Sequence, residues 1–341
     1  MKTFMKMAVV LLLFLLFYFI HIEVGDQKED RKVEDEKVTE EKEVKMEMTS
    51  IIGKTSEEIE KMFGNPNRKE PSSYDYEWWV YNENFDQYMQ IGIYKNKVVT
   101  AYLIGEDVDI SPLKIGQPIQ ELFATVTPDT NVSVEHQGNY YRFELSEEDI
   151  NTRPLIKLNG VYLQLYVDRF TGRLSSVRIL DKETLIKQQP YEMVYRGQLI
   201  TAKPISRELQ RQIDEGQEKQ IFDLTNIIRK RHGLNTLAWH KGTAIVAYNH
   251  SKDMKDHHYF SHDSPSEGTL VNRLKFENIP FELAGENIAA EYVDGIAAVE
   301  GWLNSEGHRK TLLEKDFTHL GVGVYQKYYT QNFVKLWEQA S

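Results

Sequence analysis

The absence of cysteine is the feature that most constrains how this 341-residue chain can fold. A chain without cysteine forms no disulfide and holds no thiolate-bound zinc, so the packing of apolar side chains must stabilise every domain. Hydrophobic residues make up 41% of the chain and aromatic residues 11%, which is enough to build hydrophobic cores. The length predicts two folded units, at roughly 100–200 residues per domain.

The charge of the chain excludes one large class of partner. The formal net charge is -11 at pH 7, whereas proteins that bind nucleic acid generally present a basic face. We therefore predict that the chain does not bind nucleic acid.

The first residues follow the pattern of an export signal. Lys2 and Lys6 precede an apolar run at residues 7–20, and a charged segment before an apolar block of about 7–15 residues is typical of such signals. The run is borderline for a membrane span, which needs about 20 apolar residues, and no clear small-residue cleavage site follows it. Residues 1–25 are therefore predicted to be either a signal peptide or a signal anchor. The charged residues 26–49 are predicted to be a disordered spacer on the outer side of a membrane. An exported chain without cysteine must be stabilised by packing, which suits a Gram-positive cell surface.

An internal repeat is predicted in residues 50–190. Gly53 and Gly116 each open a short helix, and strand-like runs follow both helices. The pattern predicts two units, each a helix against an antiparallel meander, that face each other. Trp78, Trp79 and the neighbouring tyrosines are interpreted as core residues rather than as a glycan-binding platform. The predicted strands are residues 76–81, 88–94 and 98–104 in the first unit and residues 140–145, 161–167 and 174–180 in the second.

A second domain is predicted over residues 213–341, after a connector at residues 191–212. Ser206 is the predicted N-cap of a helix over residues 207–232, and Ser264 is the predicted cap of a shorter helix. Further helices are predicted at residues 241–257 and 293–305. Extended segments are predicted at residues 284–289, 319–327 and 331–337. This order predicts an α-β-α arrangement, so the fold class of the whole chain is α+β.

Several motifs in this second domain resemble those of a known family. Eight of the ten histidines lie beyond residue 231. The motifs are Asn226-x-x-Arg229, Ala247-x-x-His250-Ser251-x-Asp253-Met254, Tyr259-Phe260-Ser261-His262-x-Ser264-Pro265, Gly285-Glu286-Asn287-Ile288-Ala289, Trp302-x-Asn304-Ser305-x-x-His308-Arg309 and Phe317-Thr318-x-x-Gly321-Val322-Gly323. In this order they resemble the CAP superfamily, also called SCP-like, which comprises cysteine-rich secretory, antigen 5 and pathogenesis-related proteins, and they fit its bacterial cysteine-free branch best. The region before them resembles the CAP-associated N-terminal domain of Bacillus-type proteins.

The resemblance implies an α-β-α sandwich with a cleft lined by two histidines and two glutamates. The motifs carry these positions over to His250, Glu286 and His308, whereas the second glutamate falls on Ser305. Members of the family with this cleft bind divalent metals, so the resemblance implies Zn²⁺ or another divalent metal at His250, Glu286 and His308 as a candidate cofactor.

Other combinations of these side chains are interpreted as incidental. His258 and His262 have i, i+4 spacing but are read as structural, and no nucleophile elbow or oxyanion loop accompanies Ser305 and His308.

Three functions remain open from the sequence. The leading prediction is an exported or membrane-anchored module that binds a ligand or a cell-surface partner through the cleft. The alternative is a divalent-metal-dependent, peptidase-like hydrolase that uses the same cleft. The third is a buried hydrogen-bond network that only stabilises the fold.

Overall fold

The structure, a computed structural model, describes residues 47–337. The predicted signal peptide or anchor and nearly all of the predicted spacer lie outside the described residues. Within residues 47–337, no helix combines the length and the apolar character that a membrane crossing requires.

The first half of the described chain contains ten strands and four short α-helices, along with 3₁₀ turns at Glu47–Ile51 and Phe85–Gln87. The helices are α1 (Ser56–Phe63), α2 (Ile119–Thr125), α3 (Glu147–Thr152) and α4 (Lys182–Gln188). The strands are β1 (Arg68–Pro71), β2 (Glu77–Tyr81), β3 (Met89–Tyr94), β4 (Lys97–Leu103), β5 (Asn131–His136), β6 (Asn139–Glu144), β7 (Leu155–Leu158), β8 (Val161–Asp168), β9 (Arg173–Leu180) and β10 (Glu192–Arg196).

The two repeats form one sheet instead of facing each other, which corrects the sequence-based arrangement. The strand order is β1-β2-β3-β4-β9-β8-β7, and the halves join where Tyr102 of β4 pairs antiparallel with Arg178 of β9. Joining the meanders in this way satisfies backbone groups that two separate edges would leave unpaired. The predicted strand at residues 140–145 corresponds to β6, which lies in a separate sheet of order β10-β6-β5.

Successive side chains of a strand point to opposite faces of a sheet, and both faces of the large sheet are apolar. Trp79 of β2 packs with Ile59 of α1 and Leu122 of α2, so both repeat helices cover the same face. Trp78 of β2 belongs to the opposite face. Both tryptophans are buried, at 2% and 5% exposure for Trp78 and Trp79, in agreement with their interpretation as core residues.

The second half is an α-β-α sandwich around a four-stranded sheet of order β11-β13-β14-β12. Its helices are α5 (Arg207–Arg231), α6 (Lys241–Asp256), α7 (Leu270–Phe276), α8 (Gly295–Leu303) and α9 (Glu306–Leu312). Its strands are β11 (Ala238–Trp239), β12 (Phe281–Ala290), β13 (His319–Tyr325) and β14 (Tyr328–Leu336). Helices α5 and α8 pack on one face of the sheet, and α6 and α7 pack on the other.

One of the two predicted N-cap residues caps its helix, and the other does not. The Ser206 hydroxyl caps α5 by accepting from the Leu209 amide at 3.2 Å, as predicted. The Ser264 hydroxyl accepts from the Glu267 amide at 3.0 Å, as a cap would, but residues 264–268 form a turn and not a helix. Thr269 caps α7 instead, in a capping box with Asn272.

Helix α6 lies unusually close to β13 because that strand carries glycine where the helix crosses. A Cβ atom on Gly323 would lie 1.9 Å from the Tyr248 backbone nitrogen, and one on Gly321 would lie 2.2 Å from the Ala244 nitrogen. The atoms that such a Cβ would meet belong to the backbone of α6, so no flexible side chain could move aside. The two glycines therefore set the distance between α6, which carries His250, and the sheet.

The two halves share one hydrophobic core. The second face of the large sheet, with Trp78 and Tyr102, packs against Leu224 of α5 and Trp302 of α8. A buried ion pair crosses the same interface, with Arg178 Nη2 2.8 Å from Asp294 Oδ1 and side-chain exposures of 0% and 9%. The described residues accordingly belong to a single compact unit.

We expect Asp294→Asn to destabilise the protein by about 3 kcal/mol, because it leaves the Arg178 guanidinium buried without a counter-charge. The asparagine side chain can still accept from the Ala297 amide that Asp294 caps, so the change isolates the charge. Urea denaturation of the variant measures the loss. The matched control is Glu208→Gln, which removes an exposed partner of Arg211 and should leave the urea midpoint unchanged. Equal midpoints for both variants would contradict the role assigned to the buried pair.

Gly323→Ala should cost about 3 kcal/mol of unfolding free energy, since the added methyl group forces α6 away from β13. Gly307→Ala is the control, because nothing lies within 4 Å of a Cβ atom there and the residue is helical. Alanine at that position should stabilise by about 0.5–1 kcal/mol. Thermal and urea unfolding of both variants measure these changes. A Gly323→Ala variant as stable as wild type would show that the close approach of α6 to β13 does not limit packing.

Candidate functional site

Glu286 is the most tightly held side chain of the predicted cleft. It lies on β12, and its side chain is 3% exposed. Arg273 Nη2 donates to Glu286 Oε2 at 2.6 Å, and His262 Nδ1 donates to Oε1 at 2.9 Å. Asn332, which is opposite Glu286 in the register of β12 and β14, can donate its amide to Oε2 at 2.9 Å. These partners compensate the charge of the buried carboxylate and hold it in one orientation.

His262 is the imidazole that connects this carboxylate to solvent. Its side chain is 55% exposed, although its Nδ1 atom bonds the nearly buried Glu286. Because Nδ1–H serves the carboxylate, Nε2 is left free to hydrogen-bond a ligand at the surface. Arg273 also donates to the His262 carbonyl oxygen at 2.9 Å, so one guanidinium positions both members of the pair.

His308 lies beside this pair on the first turn of α9. Its Nδ1 atom is 2.9 Å from Ser305 Oγ, and its backbone oxygen accepts from the Asn287 side chain at 3.1 Å. Burial lowers the pKa of His308, and the nearby His262 lowers it further, which favours the neutral imidazole. Ser305 precedes α9 but makes no side-chain capping bond, so its hydroxyl is committed to His308.

His250 lies beneath the site and not in its surface. The residue is 0% exposed, its Nε2 atom is 3.0 Å from the Ser261 carbonyl oxygen, and its Nδ1 atom has no hydrogen-bond partner in residues 47–337. Its Nε2 atom is 3.9 Å from Glu286 Oε1. Burial is the main cause that lowers its pKa. His250 thus supports the loop that carries His262.

The structure joins Glu286 to His262 and Ser305 to His308. The sequence predicts a structural role for His262, yet it is the exposed imidazole bonded to Glu286. Two signals could have indicated this. His250 shares a helical stripe with Ala247 and Met254, both of which are buried, whereas His262 follows that helix in a polar loop, where binding residues concentrate.

The geometry does not support the divalent-metal site predicted at His250, Glu286 and His308. Both oxygens of Glu286 are engaged, one of them by the positively charged Arg273. The Nε2 atom of His250 is engaged by a backbone carbonyl. Across residues 47–337, no group of three or more His, Asp or Glu side chains is arranged to hold a metal ion. His250, Glu286 and His308 thus do not form a site for Zn²⁺ or a similar cation.

Ser305 and His308 form a real contact, but not a catalytic triad. The nucleophile–base distance of 2.9 Å is within hydrogen-bond reach. A triad also needs a carboxylate that orients the imidazole, and in the described part of the chain no carboxylate bonds His308.

The buried, neutral His250 makes stability depend on pH in a defined direction. Its folded-state pKa is lowered from 6.5, so the unfolded chain takes up the proton first and stability falls as the pH drops from about 7 to about 5. In His250→Gln, the amide replaces the donor to Ser261 but does not titrate. The difference in unfolding free energy between wild type and this variant should therefore narrow as the pH falls.

Urea titrations at a series of pH values check this expectation. His258→Gln is the control, because His258 is exposed and makes no contact with the buried network. A difference between wild type and His250→Gln that stays constant from pH 7 to pH 5 would count against a neutral, buried His250.

Comparisons with known proteins agree with this architecture. Residues 52–191 match the CAP-associated N-terminal family, and residues 222–337 match the cysteine-rich secretory protein family. The membrane protein YlbC of Bacillus subtilis is 51% identical over 99% of this chain and 100% of its own length. YkwD of the same organism is 40% identical over 34% of this chain and 46% of its own length.

Two solved structures resemble the whole described fold. An extracellular protein with an SCP domain from Bacillus anthracis has a TM-score of 0.82 and 47% identity, covering 91% of this chain and 100% of that protein. A cysteine-rich secretory protein from Staphylococcus aureus has a TM-score of 0.72 and 27% identity, covering 84% and 94% of the respective chains. The chain belongs to the CAP superfamily, and a CAP-associated N-terminal domain precedes its cysteine-free CAP domain.

Proposed function

We propose that this chain is an extracytoplasmic CAP protein that binds a ligand or a cell-surface partner through a cleft formed by His262, Glu286, Ser305 and His308. The observation that carries the proposal is the exposed His262 imidazole, which is held 2.9 Å from the nearly buried carboxylate of Glu286. A rigid polar group that reaches solvent from a buried charge is a feature of binding sites rather than of cores.

The free atoms of the cleft indicate what it recognises. Within residues 47–337, neither His262 Nε2 nor His308 Nε2 has a hydrogen-bond partner, whereas both Nδ1 atoms are engaged. Two ring nitrogens are therefore available to hydrogen-bond a ligand. Such a pair matches a ligand rich in amide or hydroxyl groups, which peptides and glycans both carry.

The proposed location depends on the N-terminal residues and on the relatives. Residues 1–25 carry the pattern of a signal peptide or signal anchor. One relative is named a membrane protein and one similar structure is of an extracellular protein. We propose that residues 1–25 direct export, with or without remaining in the membrane, so that the cleft faces the exterior of a Gram-positive cell.

The alternative of a metal-dependent hydrolase lacks a carboxylate ligand. A catalytic zinc site takes three protein ligands, and the cleft offers two free imidazole nitrogens, those of His262 and His308. Glu286 is instead neutralised by Arg273 at 2.6 Å. The proposal therefore assigns no cofactor to the cleft.

A co-sedimentation assay with purified Bacillus subtilis cell-wall sacculi tests the proposal, with the full chain held in nanodiscs. His262→Ala combined with His308→Ala should reduce the bound fraction at least fivefold, because both free ring nitrogens are lost. His257→Ala combined with His258→Ala is the control, since both side chains are exposed outside the cleft. If the two double variants sediment equally, the cleft does not bind the sacculi.

Glu286→Gln distinguishes binding from a purely structural network. This change leaves Arg273, whose side chain is 2% exposed, without its counter-charge, so the melting temperature should fall by several degrees. The His262/His308 double variant should lose less, because His262 is exposed and Arg273 still pairs with Glu286. A large melting-temperature drop in that variant as well, with sacculus binding retained, would favour the structural role.

A further inference from the structure

Strand β10 is an exposed edge of the small sheet of order β10-β6-β5. It comprises Glu192–Arg196 and pairs antiparallel with β6, with Val194 opposite Arg142. Among the described residues, no strand pairs with its other side. All of its residues except Met193 are exposed, including Val194 at 51% and Tyr195 at 47%. An exposed edge strand is a template for pairing with another chain.

The register of the small sheet shows which backbone groups of β10 are free to pair. Alternate residues of an antiparallel strand direct their N–H and C=O groups to opposite neighbours. The Leu145 amide donates to the Thr130 carbonyl oxygen at 2.8 Å, so the odd-numbered residues of β6 bond β5 and the even-numbered ones bond β10. Even-numbered residues of β6 lie opposite even-numbered residues of β10. The backbone groups of Met193 and Tyr195 therefore point away from the sheet.

The opposite edge of the same sheet is protected in a way that β10 is not. Helix α4 packs against β5, and Lys182 of this helix donates its ammonium group to the Glu135 carbonyl oxygen at 3.3 Å. Lysine and proline are common devices that prevent an edge strand from pairing with another chain. Strand β10 contains neither residue.

The sequence of β10, Glu-Met-Val-Tyr-Arg, is complementary to itself in the antiparallel direction. When two copies of the strand pair about Val194, Glu192 of each lies opposite Arg196 of the other, and Met193 lies opposite Tyr195. Glu192 and Arg196 are both exposed, and neither has an ion-pair partner within residues 47–337. Opposite charges and sulfur–aromatic contacts at facing positions both stabilise antiparallel strands. Charge complementarity thus favours a second copy of this chain as the partner.

The free backbone groups fit the same register. Pairing about Val194 places Met193 opposite Tyr195, and these are the residues whose N–H and C=O groups point away from the small sheet. Each such pair can exchange both of its backbone hydrogen bonds. Glu192 and Arg196 then form a non-hydrogen-bonded pair, in which facing side chains lie closest. A register shifted by two residues keeps free backbone groups opposite each other but loses both ion pairs.

We propose that β10 is a self-association surface through which two copies of this chain form a two-fold symmetric dimer. The two small sheets join edge to edge, and the ion pairs between Glu192 and Arg196 set the register. Because the contact is isologous, each favourable pair occurs twice. None of the cleft residues lies on the small sheet, so the dimer does not depend on the proposed function.

Cross-linking through an introduced cysteine tests the proposal, because the chain has no cysteine of its own. Val194→Cys places a thiol at the two-fold axis, where the Cα atoms of a non-hydrogen-bonded pair are about 4.5 Å apart, within the span of a disulfide. The full chain is kept in detergent with a large excess of micelles over protein, so that chance sharing of a micelle is rare. Copper phenanthroline is the oxidant, and non-reducing electrophoresis follows the covalent dimer.

Val271→Cys is the matched control, since Val271 is an exposed valine on α7, at 41% exposure. Val194→Cys should form the covalent dimer at least tenfold faster than Val271→Cys does. Equal rates for the two variants would overturn the proposal.

Charge reversal in the Val194→Cys background tests the register separately. Glu192→Arg alone, or Arg196→Glu alone, places like charges opposite each other and should slow cross-linking at least fivefold. The two changes together exchange the charges, so they should restore the rate to within twofold. Single reversals without effect, or a double reversal that stays slow, would contradict the pairing of Glu192 with Arg196.

Discussion

The packing of the large sheet onto α5 and α8 is the constraint on which the rest of the structure depends. The first half leaves one sheet face apolar, and the second half covers it, so that residues such as Trp78 and Trp302 share one core. Removing water from this interface makes every charge within it costly unless it is paired. The buried contact between Arg178 and Asp294 meets that requirement. The two domains thus form one structural body whose charged contacts set their alignment.

The same interface extends to the binding region. Arg309 follows His308 on α9, and both of its terminal nitrogens donate to Asp168 of β8, at 2.9 and 3.0 Å. Asn304 accepts from the Arg169 amide and donates to the Val167 carbonyl oxygen, at 2.9 and 2.8 Å. The turn after β8 therefore holds the segment that carries Ser305 and His308. The CAP-associated domain therefore supports the segment on which the proposed cleft depends.

Much of the local structure could be predicted from the sequence, but the pairing of distant parts could not. The cap at Ser206 and the extent of α5 follow from neighbouring residues, and the structure confirms them. The prediction that the two repeat units face each other was wrong, because β4 pairs with β9 in one sheet. Strands far apart along the chain carry no local sign of which strand they will pair with. Glu286 and His308 were found through motifs. His262 was missed, since the i, i+4 spacing from His258 concealed its contact with Glu286.

The sequence by itself determined the α+β content, the cysteine-free CAP family and the residue types of the cleft. These features depend on apolar periodicity, capping side chains and motifs of a few residues, all of which are interactions between near neighbours. Only the tertiary structure decided that His250 is buried and that His262 faces solvent. Burial and charge compensation arise from contacts between residues distant along the chain, such as Arg273 with Glu286 and Arg309 with Asp168. Those contacts exist only once the chain has packed.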